Sequence, residues 1–482
     1  MNFDILQSPL DFLQQEMGDV VHEETLRSYE IFWQQEGRVI SQSVDRAGTP
    51  WLRMFDSQGE RVDEVLLPQE YWTMLHKGYE AGAVWRVFEE NSLLSSYLQG
   101  YVTSFYDSGL YCPHTVSLAS AVVIEKYGSE SLQQCFLSQL LKKDETVFQA
   151  ATWMTEVKGG SDLGANTDTL ATSCKDRWSL NGDKYFCSNV QAEMAVVAAR
   201  IESSQKNVRG LALFLVPKFR QDGNLNYQIR RLKNKIATRS VVTGEVELRN
   251  TEAYLLGQTD NGIYLIMEVL NISRVANSVA SMALAQRALF EAWNFARQRS
   301  AFSKPIIEHG LMQQQFIDRF KQLQNGFALS LEAAKLLDEV WLEKAPYSQR
   351  YHLFRLMAHL SKYWCAEFAV QTTKWAMEVC GGVGVLEEYG VERWLREAMI
   401  LQIWEGTPHR QILDGLGVME RKGAHLLLFD YLQDRTSKTT LKTMSARVEA
   451  HLKLPKTEKE AKSEALFSDL ALFTMNALTS KS

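Results

Sequence analysis

Glu405 lies in the stretch LQIWEGTPHRQIL (401–413), directly after Trp404 and before Gly406. A carboxylate beside a tryptophan and an apolar run is expected to keep its proton to higher pH, because burial disfavours the charged form. Such a group serves as a general base. A second stretch with chemical potential runs over 148–189, FQAATWMTEVKGGSDLGANTDTLATSCKDRWSLNGDKYFCSN. Two apolar, strand-like runs, FQAATWMT and WSLNGDKYFCS, flank a loop holding Gly159, Gly160, Ser161 and Asp162. Each run carries a hydroxyl near one end, Thr155 and Ser188, with an aromatic close by, Trp153 and Phe186. Aromatic faces and edge hydroxyls suit a flat ligand with a polar rim. On loop chemistry alone the same Gly-Gly-Ser-Asp segment is equally a plain turn. A Trp-Glu-Gly triplet alone is likewise unremarkable.

In combination these stretches carry a resemblance. TEVKGGSD followed about two dozen residues later by KYFCSN resembles the flavin-cradling pair of the acyl-CoA dehydrogenase superfamily. The wording MTEVKGGSDLGANT, and the earlier LRMFDSQGERVDEVLLPQEYW, are most similar to its alkylation-response, AidB-like branch. YGVERWLREAMILQIWEGT resembles the C-terminal signature in which the glutamate is the catalytic base. The resemblance spans about residues 50 to 420 and implies FAD as cofactor. Glu405 would take the proton α to a thioester carbonyl while flavin N5 takes hydride from the β-carbon. Backbone N–H groups near Glu405, with a flavin ribityl hydroxyl, would stabilise the enolate oxygen.

The resemblance also implies the contacts. Met154 and Thr155 would meet the flavin edge, with Phe186, Cys187 and Ser188 opposite and the Ser188 hydroxyl near N5. Ser161 would lie on the pyrophosphate or acyl-chain side. Trp404, Thr407 and His409 flank the base on the loop that wraps the flavin, and Gly406 would touch substrate; His409 stands where the fatty-acid enzymes have Gln. Arg299 and Phe302 in ARQRSAFSKPI match an R-x-x-F-G-x-P motif whose arginine reaches the pyrophosphate of a neighbouring subunit's FAD, a task suited to a bidentate guanidinium. Ser303 replaces the motif's Gly. Glu378, Gly381 and Gly382 fall on the adenine-side loop, with Glu378 in place of Gln. Arg274 in LNISRVA matches an arginine of the acyl-CoA pocket; Ser273 leaves Glu405 without a rival base, and Asn271 replaces an Asp that helps hold CoA.

The elements that must position these residues follow from periodicity. Residues 1 to about 147 read mostly helical, with an extended interruption at 49–67 that turns at 56–59. From 148 to 256 short β-like runs follow one another, including EMAVVAARI, GLALFLVP, YQIRRLK and GEVELRN, and Asn181-Gly182 is expected to form a tight hairpin turn. From Gly262 helical spacing returns in about four long segments, at 263–302, 311–343, 351–379 and after Glu392, which suggests a bundle. The fold expected is mainly α with a central β-barrel-like domain: an N-terminal helical domain (1–147), a middle β domain (148–256), a C-terminal four-helix bundle (257–425) and a helical tail (426–482). The tail reads as a solvated appendage, with AHLKLPKTEKEAKSEALF as a charged linker into a last helix.

Composition is that of a helix-rich globular chain: 45% hydrophobic, 23% charged, net charge −6. That balance gives no whole-protein attraction to nucleic acid or anionic membrane but leaves room for a local basic patch. Six scattered cysteines without a CxxC pair speak against a metal cluster or disulfide frame. The N-terminus has no basic, apolar signal pattern and no run is long enough to span a membrane, so a cytoplasmic location is expected. The principal expectation is an acyl-CoA dehydrogenase of fatty-acid metabolism, using an acyl-CoA or related thioester and an electron-transfer flavoprotein or other acceptor. The alternative is an AidB-like, DNA-binding flavoprotein that protects against alkylation, its dehydrogenase activity vestigial. A flavin oxidase or monooxygenase is a weaker third. DNA is the less favoured partner, since residues 420–482 hold 11 Lys plus Arg against 8 Asp plus Glu. Arg299 and the glycine loop imply a homo-oligomer, dimer or tetramer.

Overall fold

The computed structural model describes residues 3–202 and 204–480. The chain forms two compact units that interleave in sequence. One comprises Ile31–Gln99 and Asp107–Ser273, the other Met1–Glu30, Gly100–Tyr106 and Arg274–Ser482.

The first unit holds the β domain. A hairpin of β1 (Trp51–Phe55) and β2 (Arg61–Leu66) occupies the interruption expected there. Its turn is fixed by Asp56, whose Oδ1 accepts from Gln58 N and Glu60 N at 2.8 and 2.9 Å, and by Gly59 at φ +84°. The main sheet follows: β3 (Ala150–Trp153), β4 (Leu170–Cys174), β5 (Arg177–Ser188), β6 (Met194–Ile201), β7 (Leu211–Pro217), β8 (Gln228–Leu232) and β9 (Thr243–Leu256). The order is β3-β6-β4-β5-β9-β7, with β8 on β9, and β7 also pairs with β6. That last pairing closes β6-β4-β5-β9-β7 into a ring, the barrel-like domain expected from the strand density. Its core is apolar, with Trp153, Leu180, Cys187, Val197, Phe214 and Val246 buried. The nearly all-buried helix Tyr111–Tyr127 ties the barrel down: Ser117 Oγ accepts from Ala150 N at 3.0 Å.

One expectation is corrected here. Asn181-Gly182 is not a hairpin turn but lies within β5, where the pairing to β9 shifts register between Leu180 and Gly182. The dipeptide suits an irregular strand as well as a turn: Gly182 has φ +152°, and a Cβ there would sit 2.6 Å from Thr169 Cα. The hairpin joining β4 to β5 turns instead at Lys175–Asp176, with Lys175 at φ +50°.

The second unit is helical. Its long elements are Gly310–Val340, Gln349–Cys380 and Val391–Ile403, together with Gly262–Gln298, in which the boundary between the units falls. β10 (Ser300–Ala301) and β11 (Lys304–Pro305) form a small hairpin between the first two, with Phe302 and Ser303 at φ +52° and +68°. Four helices follow: Pro408–Lys422, Ala424–Leu432, Lys438–Leu452 and Lys456–Thr479.

The tail is a second correction. Its charged stretch is the first turns of the Lys456–Thr479 helix, where Lys462 pairs with Glu458 at 2.6 Å. The lower half of that helix is no appendage: Leu466, Phe467, Leu470 and Phe473 are buried. Phe467 meets Tyr363 edge-to-face at 5.4 Å, and Gly415 lies so close that a Cβ there would be 2.5 Å from the Phe467 ring. Alternating charges at helical spacing form exposed i,i+4 pairs as readily as a linker, and the apolar half then docks. Phe467→Ala should therefore cost about 3–5 kcal/mol in denaturant titration, where a solvated appendage would show almost no change.

Candidate functional site

In the β unit, β5 alternates outward and inward as a strand must. Phe186 is 52% exposed and Ser188 half-buried, while Cys187 between them is fully buried in the core. Burial pushes the Cys187 thiol up, so it is inert, and only its backbone is available to a ligand. The end of the first run lies against this strand: Tyr185 N donates to Thr155 O at 3.0 Å, and Trp153 Nε1 to Ser188 O at 3.2 Å. The structure thus brings Met154, Thr155 and residues 186–188 onto one wall. Met154 is buried, Thr155 half-buried and Ser161 exposed.

A buried ion pair sets the loop between them. Lys184 Nζ lies 2.6 Å from Glu156 Oε1, and both side chains are almost fully buried. Glu156 also accepts from Asp168 N, Thr169 N and Thr169 Oγ1 at 2.7, 3.1 and 2.6 Å. Desolvation lowers the Lys184 pKa and Glu156 opposes that shift. Such a pair is costly to bury but costlier to break, so it pins the 156–169 loop at both ends. Gly160 packs within this loop, since a Cβ there would be 2.4 Å from Thr155 Oγ1.

In the helical unit, the Val391–Ile403 helix ends at Trp404, and Glu405 and Gly406 follow at φ +59° and +101°. A glutamate in the left-handed region is uncommon and carries strain. Side chains from three neighbouring helices take up the carbonyls at this end. Asn277 Nδ2 donates to Leu401 O at 3.0 Å, Lys362 Nζ to Gln402 O at 2.7 Å and Arg274 Nε to Glu405 O at 3.2 Å. Gln411 Nε2 donates to both Glu405 O and Gly406 O, at 2.9 and 3.0 Å. These donors satisfy carbonyls a helix end leaves open, and the two cations also complement its negative pole. Arg274 further reaches Asp414 at 3.5 Å, and Asp414 is shared with Arg410.

Burial raises the Glu405 carboxyl above the usual glutamate range, with Arg274 and Lys362 opposing. Burial lowers Lys362 to about 7, opposed by Glu405. A carboxylate and an amine are thus both brought toward neutrality in one place, which is the setting of a proton-transfer site.

The remaining residues singled out in the sequence lie elsewhere on this unit. Thr407 is the N-cap of the Pro408–Lys422 helix, and His409 in its first turn is exposed. Arg299 is exposed and its guanidinium forms no hydrogen bond or ion pair among the described residues; Phe302 beside it is 92% exposed. Ser303 carries the left-handed angle that the motif's glycine adopts freely. Gly381 (φ +62°) and Gly382 are exposed with open space around them, and Glu378 pairs with Lys374. Sequence reasoning missed Lys184, His359, Lys362, Gln411 and Asp414. Lys362 had a signal, a lone cation within LSKYWCAEFAV.

Among the described residues no group of His, Cys, Asp or Glu could hold a metal ion, and no helix is long and apolar enough to cross a membrane.

Lys362 makes a testable contribution to pH dependence. Unfolded, it stays protonated to about 10.5; folded, it loses its proton near 7. The unfolded chain therefore binds more protons between those values, and stability from this group rises with pH across that window. The stability of wild type relative to Lys362→Met, measured by urea titration, should climb between pH 7 and 10; a flat difference would refute the assignment.

Comparison with known proteins gives the chain's relatives. Residues 7–144 match the adaptive response protein AidB N-terminal domain, 151–251 the acyl-CoA dehydrogenase middle domain and 260–415 its C-terminal domain. The chain is 30% identical over 397 residues to acyl-CoA dehydrogenase family member 11 of Caenorhabditis elegans, covering 79% of this chain and 64% of that relative's length. It is 28% identical over 401 residues to the putative acyl-CoA dehydrogenase AidB of Escherichia coli, covering 80% and 71%. The solved structure of Caenorhabditis elegans ACDH-11 in complex with C11-CoA superposes with TM-score 0.82 at 26% identity, covering 95% of this chain and 82% of that one. The three successive domain matches place this chain in the acyl-CoA dehydrogenase family.

Proposed function

We propose that the protein is an FAD-dependent dehydrogenase of an acyl thioester, with Glu405 as the base that removes the α-proton. The observation that carries this reading is the half-buried Glu405, whose carboxyl is raised by desolvation and whose backbone is held at a strained turn by Arg274 and Gln411. FAD is the cofactor of the family. The residues present fit it: an exposed phenylalanine near a hydroxyl on β5, and an exposed arginine whose guanidinium has no carboxylate partner among the described residues. Bound FAD supplies a hydride acceptor at N5.

The chain's own residues do the rest. Glu405, its carboxyl raised by desolvation, accepts the α-proton of the thioester in its carboxylate form. Arg274 and Lys362 stabilise the carboxylate form by their charge, which keeps the base from being held fully protonated. Phe186, Ser188, Met154 and Thr155 would line the flavin face and edge, and Ser161, Arg274 and Gly406 would meet the thioester. Arg299, with Phe302, would bind phosphate, and Glu378, Gly381, Gly382, Trp404, Thr407 and His409 would complete the cofactor contacts. An acyl-CoA is the thioester favoured by the C11-CoA complex of the worm relative. An electron-transfer flavoprotein or other acceptor is proposed, and the exposed Arg299 and glycine loop support the reading of a homo-oligomer, dimer or tetramer. The sequence boundaries 1–147, 148–256, 257–425 and 426–482 remain the proposed domain partition.

The AidB N-terminal match over 7–144 supports a second reading, a DNA-protecting flavoprotein. The tail argues against it: Arg447 pairs with Asp469, Lys459 with Glu420 and Lys462 with Glu458, which removes cations that a phosphate backbone would need.

Anaerobic bleaching of the flavin absorbance by short, branched and long acyl-CoAs tests the proposal. One class should bleach wild type, and Glu405→Gln should slow bleaching by about 10²–10⁴-fold with the flavin still bound. Bleaching by no thioester would overturn it.

A further inference from the structure

We propose that His359 and Gln411 form a buried strut that positions the base: His359 orients the Gln411 amide, and the amide holds the Glu405–Gly406 turn. This rests on the reading of Glu405 given above and adds two positioning residues to it. His359 Nδ1 lies 2.8 Å from Gln411 Oε1, and Gln411 Nε2 reaches the carbonyls of Glu405 and Gly406. Both side chains are fully buried.

The hydrogen-bond directions follow from this arrangement. Two carbonyls demand a donor, so the amide nitrogen faces the turn and the amide oxygen faces His359. His359 Nδ1 must then carry the hydrogen, and its Nε2, which has no hydrogen-bond partner among the described residues, is the bare nitrogen. Burial lowers His359 to about 3, so the ring stays neutral and its tautomer is set across the working pH range. Were the amide to flip, its oxygen would face two carbonyl oxygens, and the turn would lose both bonds at once. Gly406 belongs to the same device: at φ +101°, a Cβ there would lie 2.8 Å from Gln411 Nε2. The strut spans two helices, from Gln349–Cys380 to Pro408–Lys422, so the angle of Glu405 depends on their packing.

The test compares His359→Leu, which removes the donor, with His359→Gln, whose amide restores one, in the full-length FAD-loaded protein. Because His359 is uncharged, neither change alters the charges facing Glu405, which are those of Arg274 and Lys362. The Glu405 carboxyl is titrated by infrared difference against Glu405→Gln. In His359→Leu its pKa should fall by about one unit as the turn loosens toward solvent, and return in His359→Gln. Where a thioester bleaches wild type, His359→Leu should slow bleaching by about 10- to 100-fold without weakening thioester binding. An unchanged carboxyl titration in His359→Leu overturns the strut, whatever the bleaching shows. A wild type that no thioester bleaches overturns the dehydrogenase reading, and the titration still decides the strut.

Discussion

A glutamate with positive φ, at the C-terminal end of a helix, is the constraint from which the helical unit takes its order. The backbone there is strained and its carbonyls have no helical partners, so both debts fall on side chains from elsewhere. Asn277, Arg274, Lys362 and Gln411 supply donors from three different helices, and each is buried. Burying two cations would be unfavourable without those carbonyls and the carboxylates of Glu405 and Asp414 nearby. Strain at the turn and charge burial around it therefore sustain each other. Desolvation at the same turn raises the carboxyl, and the two cations that help fix the backbone hold that rise in check.

The β unit solves a comparable problem with a comparable device. Its wall must present Phe186 and Ser188 outward while Cys187 faces inward, which strand alternation provides. Its loop, rich in glycine and exposed at Val157 and Ser161, has no regular ladder to hold it. The Lys184–Glu156 pair takes that role, with Glu156 gathering the backbone at Asp168 and Thr169. In both units an internal ion or amide, invisible as a motif, fixes backbone that the recognisable motif residues occupy.

How far the sequence was legible follows from the range of each interaction. The alternation of β5, the helices and the Trp-Glu-Gly-Thr stretch are local patterns and could be read directly. Asn181-Gly182 was misread because an irregular strand position and a hairpin turn demand the same permissive backbone, and only the pairing partner distinguishes them. The charged tail was misread because i,i+4 ion pairs use the same composition as a linker. Arg274 could be singled out from its local motif, but its guanidinium contacts to the Glu405 carbonyl and Asp414 lie 131 and 140 residues away in sequence, where no local window reaches. His359, Lys362 and Gln411 escaped for the same reason.

The central claim is that Glu405 removes a proton from the carbon next to a thioester. The most direct measurement uses an acyl thioester lacking β-hydrogens, which can lose its α-proton but has no hydride to give. In deuterium oxide, wild type should exchange the α-hydrogen, seen by proton NMR, and Glu405→Gln should not. Absence of exchange in wild type, or undiminished exchange in Glu405→Gln, would contradict the account.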